Sequence, residues 1–179
     1  MKDRKLTAAE MGRISPEEYR SRNGSGTVIV LDNVRSAYNV GSAFRSADAF
    51  GAGRVYLCGI CATPPSAEIH KTALGAEEAV PWQHFADTLE AVAALKAEGY
   101  TVVSVEQTEN SVKLAAAGVT PPSTASTKYA FIFGNEVEGV QQAVVDASDF
   151  CLEIPQHGTK HSLNVSVTVG IVLWAFCRG

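Results

Sequence analysis

The chain has 179 residues, 46% of them hydrophobic, enough for one substantial core and short for two ordinary domains. No apolar run approaches the ~20 residues of a membrane span, and the opening "MKDRKLTAAEMGRIS" lacks the apolar centre of a secretory signal, so a cytoplasmic protein off the membrane is expected. A net charge of −4 argues against a nonspecific nucleic-acid binder, yet residues 1–71 carry ten Lys/Arg against seven Asp/Glu and residues 72–179 five against twelve. This local excess of cations suits a phosphate-bearing partner, although ordinary solvated surface has the same composition.

Residues 1–24 are polar, and "SPEEY" reads as a helix start: Ser15 as cap, Pro16 at the first helical position, Glu17 and Glu18 in the first turn. "GTVIVLDNV" is a compact apolar run between Gly26 and Asp32, as in a buried parallel strand. A helix follows, with Val40, Ala43, Phe44, Ala47 and Phe50 at helical spacing and Gly51 closing it; "RVYLCGI" is the next strand. The alternation continues with the helix "TLEAVAALKAEGY", the strand "TVVSVE", the strand "YAFIFG", the helix "GVQQAVVDAS" and the short strand "DFCLEIP". Five strands interleaved with helices give an α/β protein with a mainly parallel sheet. "TPPS" and "TPPSTAS", at residues 63–66 and 120–126, read as surface connections. Of the four cysteines only Cys58 and Cys61 form a CxxC, with no second pair at zinc spacing, which predicts reduced, buried thiols.

Ligands of open parallel sheets bind beyond the carboxyl ends of the strands, and three such places carry polar residues. In "DNVRSAYNVGSAFRSAD", Asn39 lies near a helix start, where capping would also explain it. Arg45, among small and apolar residues, needs an anion, a structural partner such as Asp48, or solvent. The glycines of Gly51-Ala52-Gly53 follow a helix instead of opening one, so they are no dinucleotide fingerprint. In "FIFGNEVEGV", Gly134 permits close approach of a ligand, while Glu136 and Gly139 complete a polar turn; a turn without function has the same appearance. In "IPQHGTKHSLNVSVTVGIVLWAF", Ser162 and Asn164 flank Leu163, whereas His157 and His161 find no third ligand at metal spacing, and no metal is expected. From Val165 the residues alternate apolar and polar, which taken locally predicts a strand.

In this order the three segments resemble the signature motifs of the SpoU (TrmH-like) RNA ribose 2′-O-methyltransferases of the SPOUT superfamily. "LDNVRSAYNVGSAFRSADAFG" is similar to the first motif, "FIFGNEVEGV" to the second and "EIPQHGTKHSLNVSVTVGIVLW" to the third; "IHKTALGAEEAVPW" also resembles family sequence. Gln156 stands where Met is usual, and no separate N-terminal RNA-binding domain is expected. The resemblance implies an N-terminal helical extension over 1–25 and a catalytic domain over 26–179, with a deep trefoil knot at about 130–179. It implies S-adenosylmethionine in that knot, with main-chain contacts from Gly134, Ile154 and Leu163 and a wall at Val105. Glu136, Ser162 and Asn164 would order the pocket.

The resemblance also implies that Arg45 binds the substrate phosphate and assists proton removal from the 2′-hydroxyl, with Asn39 holding Arg45 or the ribose. Homodimers are implied too, packed through the knot and the apolar C-terminal segment, with tRNA or rRNA as partner. It makes "VSVTVGIVLWAF" a helix against its local alternation, and a helix is the expectation adopted. Three other readings are a SPOUT base methyltransferase, a catalytically silent or regulatory RNA-binding protein of the same fold, and a small-molecule-binding α/β domain.

Overall fold

The computed structural model describes all residues except 1, 2, 8, 13, 22–25, 115–126, 161, 178 and 179. The expected connection at 120–126 and His161 therefore lie outside the described residues. The elements run α1 (Pro16–Ser21), β1 (Thr27–Asp32), α2 (Ala37–Phe50), β2 (Arg54–Cys58), α3 (Ala67–Ala73), α4 (Ala76–Ala79), β3 (Trp82–Phe85) and α5 (Thr88–Ala97). They continue with β4 (Thr101–Val105), β5 (Val112–Lys113), β6 (Tyr129–Phe133), α6 (Gln142–Ala147), β7 (Phe150–Glu153) and α7 (Val165–Phe176).

The strands form one sheet in the order β3-β2-β1-β6-β4-β7-β5, and every pairing is parallel. All six residues of β1 and all five of β6 are buried, which explains their unbroken apolar sequence: a central parallel strand is covered on both faces. Alternate residues go to opposite layers. Ile29, Leu31, Phe131 and Phe133 pack with α2 and α7, whereas Val28, Val30, Ala130 and Ile132 pack with α5 and α6.

All five expected strands are present, with two more at the edges. Each escapes sequence reading for a simple reason: β3 ("WQHF") is mostly exposed and has no apolar period, and β5 is two exposed residues long. The region after β2 adds α3 and α4, short helices that no long periodic pattern announces. Cys58 and Cys61 are buried free thiols, as expected; burial pushes them up to about 12 and about 11 respectively. Cys61 Sγ accepts from Val34 N at 3.1 Å and donates to the Leu31 carbonyl at 3.3 Å, a structural role in closing the end of β1.

The terminal segment is helical, and the alternation that favoured a strand is overridden. Val165, Val169, Val172 and Leu173 are buried at helical spacing, while Val167, which a strand would place beside Val165 and Val169, is 50% exposed. Asn164 caps this helix, its Oδ1 accepting from Ser166 N at 2.8 Å and from Ser166 Oγ at 2.6 Å. Packing of α7 against α2 and β6 supplies what Val, Thr and Gly lack in intrinsic helix preference.

Candidate active site

Strand order reverses direction at β1: the chain steps from β1 to β2 on one side and later adds β6 on the other. The site lies on this topological break, beyond the carboxyl ends of β1, β6, β4 and β7. A cavity of about 600 Å³ opens there, formed by four loops: Val105–Thr108 after β4, Phe133–Val140 after β6, Leu152–Gln156 after β7, and Ser162–Thr168 leading into α7. Every residue expected to bind cofactor lines it: Val105, Gly134, Ile154, Ser162, Leu163 and Asn164.

The loop after β6 is a closed turn. Asn135 and Gly139 exchange two main-chain hydrogen bonds of 3.0 Å each, and Asn135 Oδ1 accepts from Val137 N at 2.8 Å and Glu138 N at 3.2 Å. Only glycine fits at its base: a Cβ on Gly134 would sit 2.1 Å from both Gly139 C and Val140 N. Gly139 itself has φ +72°, the left-handed region. The turn is held from below as well. Glu106 Oε2 accepts from Val140 N at 3.0 Å, and Asn135 Nδ2 donates to the Asn33 carbonyl at 2.8 Å. Asp32, fully buried at the end of β1, accepts from Gln141 N at 2.9 Å, Gln141 Nε2 at 2.8 Å and Thr88 Oγ1 at 2.7 Å.

Above the turn, Glu136 ties two motifs together. Its carboxylate accepts from Arg35 N at 2.9 Å, Ser36 N at 3.0 Å and Asn39 Nδ2 at 2.9 Å. Burial raises the carboxyl pKa, but the donated hydrogen bonds from Arg35, Asn39 and Ser36 outweigh it and hold the group below the usual carboxylate range. Asn39 Oδ1 accepts in turn from Asn164 Nδ2 at 3.2 Å. Glu136, Asn39 and Asn164, one residue from each motif, thus form a continuous hydrogen-bonded chain.

Asn39 is not the cap of α2. Ser36 is, its hydroxyl accepting from Asn39 N at 3.3 Å, so the Asn39 side chain is free to join the site. Arg45 is exposed on α2, outside the cavity lining, and among the described residues it forms no hydrogen bond or ion pair, with Asn39 or with Asp48. His157 is exposed.

Sequence reading passed over Asp32, Asn33, Glu106 and Asn135. Their shared signal is position: each ends an apolar strand or lies within two residues of its end, and Asp32 is a carboxylate closing a run of five apolar or β-branched residues. The cavity lining also has a clear charge. Glu106, Glu136, Glu138 and Glu153 contribute four carboxylates, and among the described residues that line it none is Lys, Arg or His.

Residues 26–174 match the model of the SpoU rRNA Methylase family. The 23S rRNA (guanosine-2′-O-)-methyltransferase RlmB of Nitrosomonas europaea is 34% identical over 152 residues, 84% of this chain and 55% of that protein. The tRNA (guanosine(18)-2′-O)-methyltransferase TARBP1 of Mus musculus is 30% identical over 156 residues, 86% of this chain and 9% of that one. Among solved structures, an AdoMet-bound rRNA methyltransferase from Sinorhizobium meliloti aligns with a TM-score of 0.75 at 29% identity, covering 91% of this chain and 60% of its own. This chain therefore spans little more than half of two of these relatives and a small part of the third. Its second and third motifs line one cavity, Asn39 of the first is hydrogen-bonded to both, and the family model covers most of the chain's length: the chain belongs to the SpoU rRNA methylase family.

Proposed function

We propose that the protein transfers the methyl group of S-adenosylmethionine to the ribose 2′-hydroxyl of a tRNA or rRNA nucleotide. The observation that carries this reading is the linkage Glu136–Asn39–Asn164, which joins the first motif to an acidic cavity lined by the second and third. A pocket lined by four glutamates suits a ligand bearing a sulfonium and an ammonium group. Main-chain groups of Gly134, Ile154 and Leu163 hold the adenosine, Val105 forms a wall, and Ser162 with Asn164 gives the polar edge. The cofactor supplies an electrophilic methyl group on a good leaving group.

Catalysis by this chain is then positioning and proton removal. The 2′-hydroxyl must be in line with the methyl–sulfur bond, and its proton must leave as the new oxygen–carbon bond forms. Arg45, with no partner among the described residues, is available for the nucleotide's phosphate and, so placed, assists loss of that proton. Asn39, fixed by Glu136, orients the ribose. Because Arg45 lies outside the cavity of its own chain, the reading includes a homodimer in which both chains complete each site. The apolar helix α7, which leaves Val167 and Trp174 exposed at 50% and 61%, packs against its counterpart there.

The reading also includes a trefoil knot at about 130–179. It is supported by the placement of the elements that flank this stretch: β7 pairs with β4, but α7 packs on α2 and β6, and Ile154, Gln156 and Ser162–Asn164 line the cavity together with the Gly134–Val140 loop. Residues 26–179 form the catalytic unit, and α1 docks on it through Tyr19, whose hydroxyl is 2.7 Å from the Ala52 carbonyl. Among the described residues no helix is long and apolar enough to cross a membrane, in keeping with a cytoplasmic enzyme. The test is Arg45→Ala: the variant is expected to bind S-adenosylmethionine normally by calorimetry and to lose methyl transfer to RNA. Unchanged turnover rejects the assignment.

A further inference from the structure

Tyr38 is 46% exposed on α2, immediately before Asn39. Its main-chain carbonyl accepts from Thr72 Oγ1 of α3 at 2.9 Å, which fixes the two helices side by side, and Gly41 lets them approach: a Cβ there would lie 2.3 Å from the Ile69 carbonyl. This packing brings Lys71 Nζ to 5.7 Å from the centre of the Tyr38 ring. Arg45 follows Tyr38 by seven residues, two turns on, and so shares its face of the helix. Arg35 lies just ahead of the cap. Arg35, Arg45 and Lys71 are all exposed, and among the described residues none has an ion pair.

The acids on these two helices are Asp48 at the far end of α2 and Glu68, which is occupied by the Ser66 hydroxyl at 3.0 Å. Arg35, Arg45 and Lys71 against Asp48 and Glu68 leave this rim one positive charge in excess beside an exposed aromatic ring, in contrast with the net charge of −4 and the four glutamates of the cavity. A polyanion is repelled by the cavity and attracted to this rim.

We propose that Tyr38 is a stacking platform for an RNA base next to the nucleotide being modified, with Lys71 and Arg35 taking neighbouring phosphates. The inference rests on the RNA-methyltransferase reading and adds to it the residues that hold the strand beside Asn39. Base–aromatic stacking tolerates any base, so the platform contributes affinity and register and leaves sequence choice to other contacts.

The test measures fluorescence anisotropy of labelled oligoadenylate and of an abasic ribose-phosphate oligomer of equal length. Binding of S-adenosylmethionine by calorimetry serves as the control for folding. Tyr38→Ala is expected to weaken oligoadenylate binding roughly ten-fold, Tyr38→Phe to retain it, and neither to alter the abasic oligomer. Lys71→Gln is expected to weaken both oligomers and to reduce the salt dependence by about one phosphate contact. Oligoadenylate affinity unchanged in Tyr38→Ala, or an equal loss on the abasic oligomer, overturns the platform. So does a Tyr38→Ala loss accompanied by a fall in sedimentation mass, which makes the ring a subunit contact. If the wild-type protein binds cofactor and RNA and only the Tyr38 effect is missing, the platform fails and the methyltransferase reading stands. If the wild type binds neither, both fail.

Discussion

Gly134→Ala is the substitution for which the structure gives the clearest magnitude. The new methyl would lie 2.1 Å from Gly139 C and Val140 N, both main-chain atoms, where carbon contacts need about 3.5 Å. The turn must move by more than about 1 Å, which strains the two 3.0 Å bonds between Asn135 and Gly139 and the 3.0 Å bond from Val140 N to Glu106. Overpacking costs about 1–3 kcal/mol and each lost hydrogen bond about 1, so with two of the three bonds lost the variant is expected to be destabilised by roughly 3–5 kcal/mol. For a chain of this length that lowers the melting temperature by roughly 6–20 °C. The displaced turn carries one wall of the cavity, so calorimetry is expected to show at least a ten-fold loss of S-adenosylmethionine affinity, about 1.4 kcal/mol. Gly158→Ala is the control, since a Cβ there meets nothing within 4 Å, and it is expected to stay within about 0.5 kcal/mol of wild type. Gly134→Ala with wild-type melting and wild-type affinity refutes the view that this close approach shapes the site.

Asn164→Ala removes the cap of α7 and is expected to cost about 1 kcal/mol, read as a drop of about 2–4 °C in thermal melting. Asn164→Asp keeps the cap but cannot donate to Asn39, so it is expected to melt near wild type while methyl transfer falls. Glu136 has a depressed carboxyl pKa, so its stabilisation is complete above the unfolded value of about 4.3 and is lost as pH falls through the folded one. The stability deficit of Glu136→Gln, measured by denaturant titration, is accordingly expected to be largest near neutrality and to shrink below about pH 4. Val167→Glu places a charge on the exposed apolar side of α7 and is expected to halve the sedimentation mass if that helix is the dimer face.

How far the sequence reveals the molecule depends on where its residues lie. The central strands β1 and β6 declare themselves because burial on both faces leaves an unbroken apolar run; β3 and β5 lack that burial and with it the signal. Helix α2 is legible from the period of Val40, Ala43, Phe44 and Ala47, whereas α7 is apolar on nearly every side, so its local alternation points to a strand. Its helical state depends on a cap at Asn164, just ahead of the pattern, and on packing against α2, which is nonlocal to it. The cavity residues named from motifs do line the cavity, since each sits directly beyond a strand or before a helix. The chain Glu136–Asn39–Asn164 spans 125 residues of sequence in two hydrogen bonds, and no spacing rule contains it. Arg45 shows the opposite limit: the motif singles it out, yet among the described residues of one chain it has no partner.

The central claim is tested most directly by the product. Purified protein is incubated with a tRNA and rRNA pool and methyl-labelled S-adenosylmethionine, and the RNA is digested to nucleosides for mass spectrometry. A label found on a 2′-O-methylated ribose, absent with Arg45→Ala, is the predicted result; a label on a base, or none despite bound cofactor, contradicts the account.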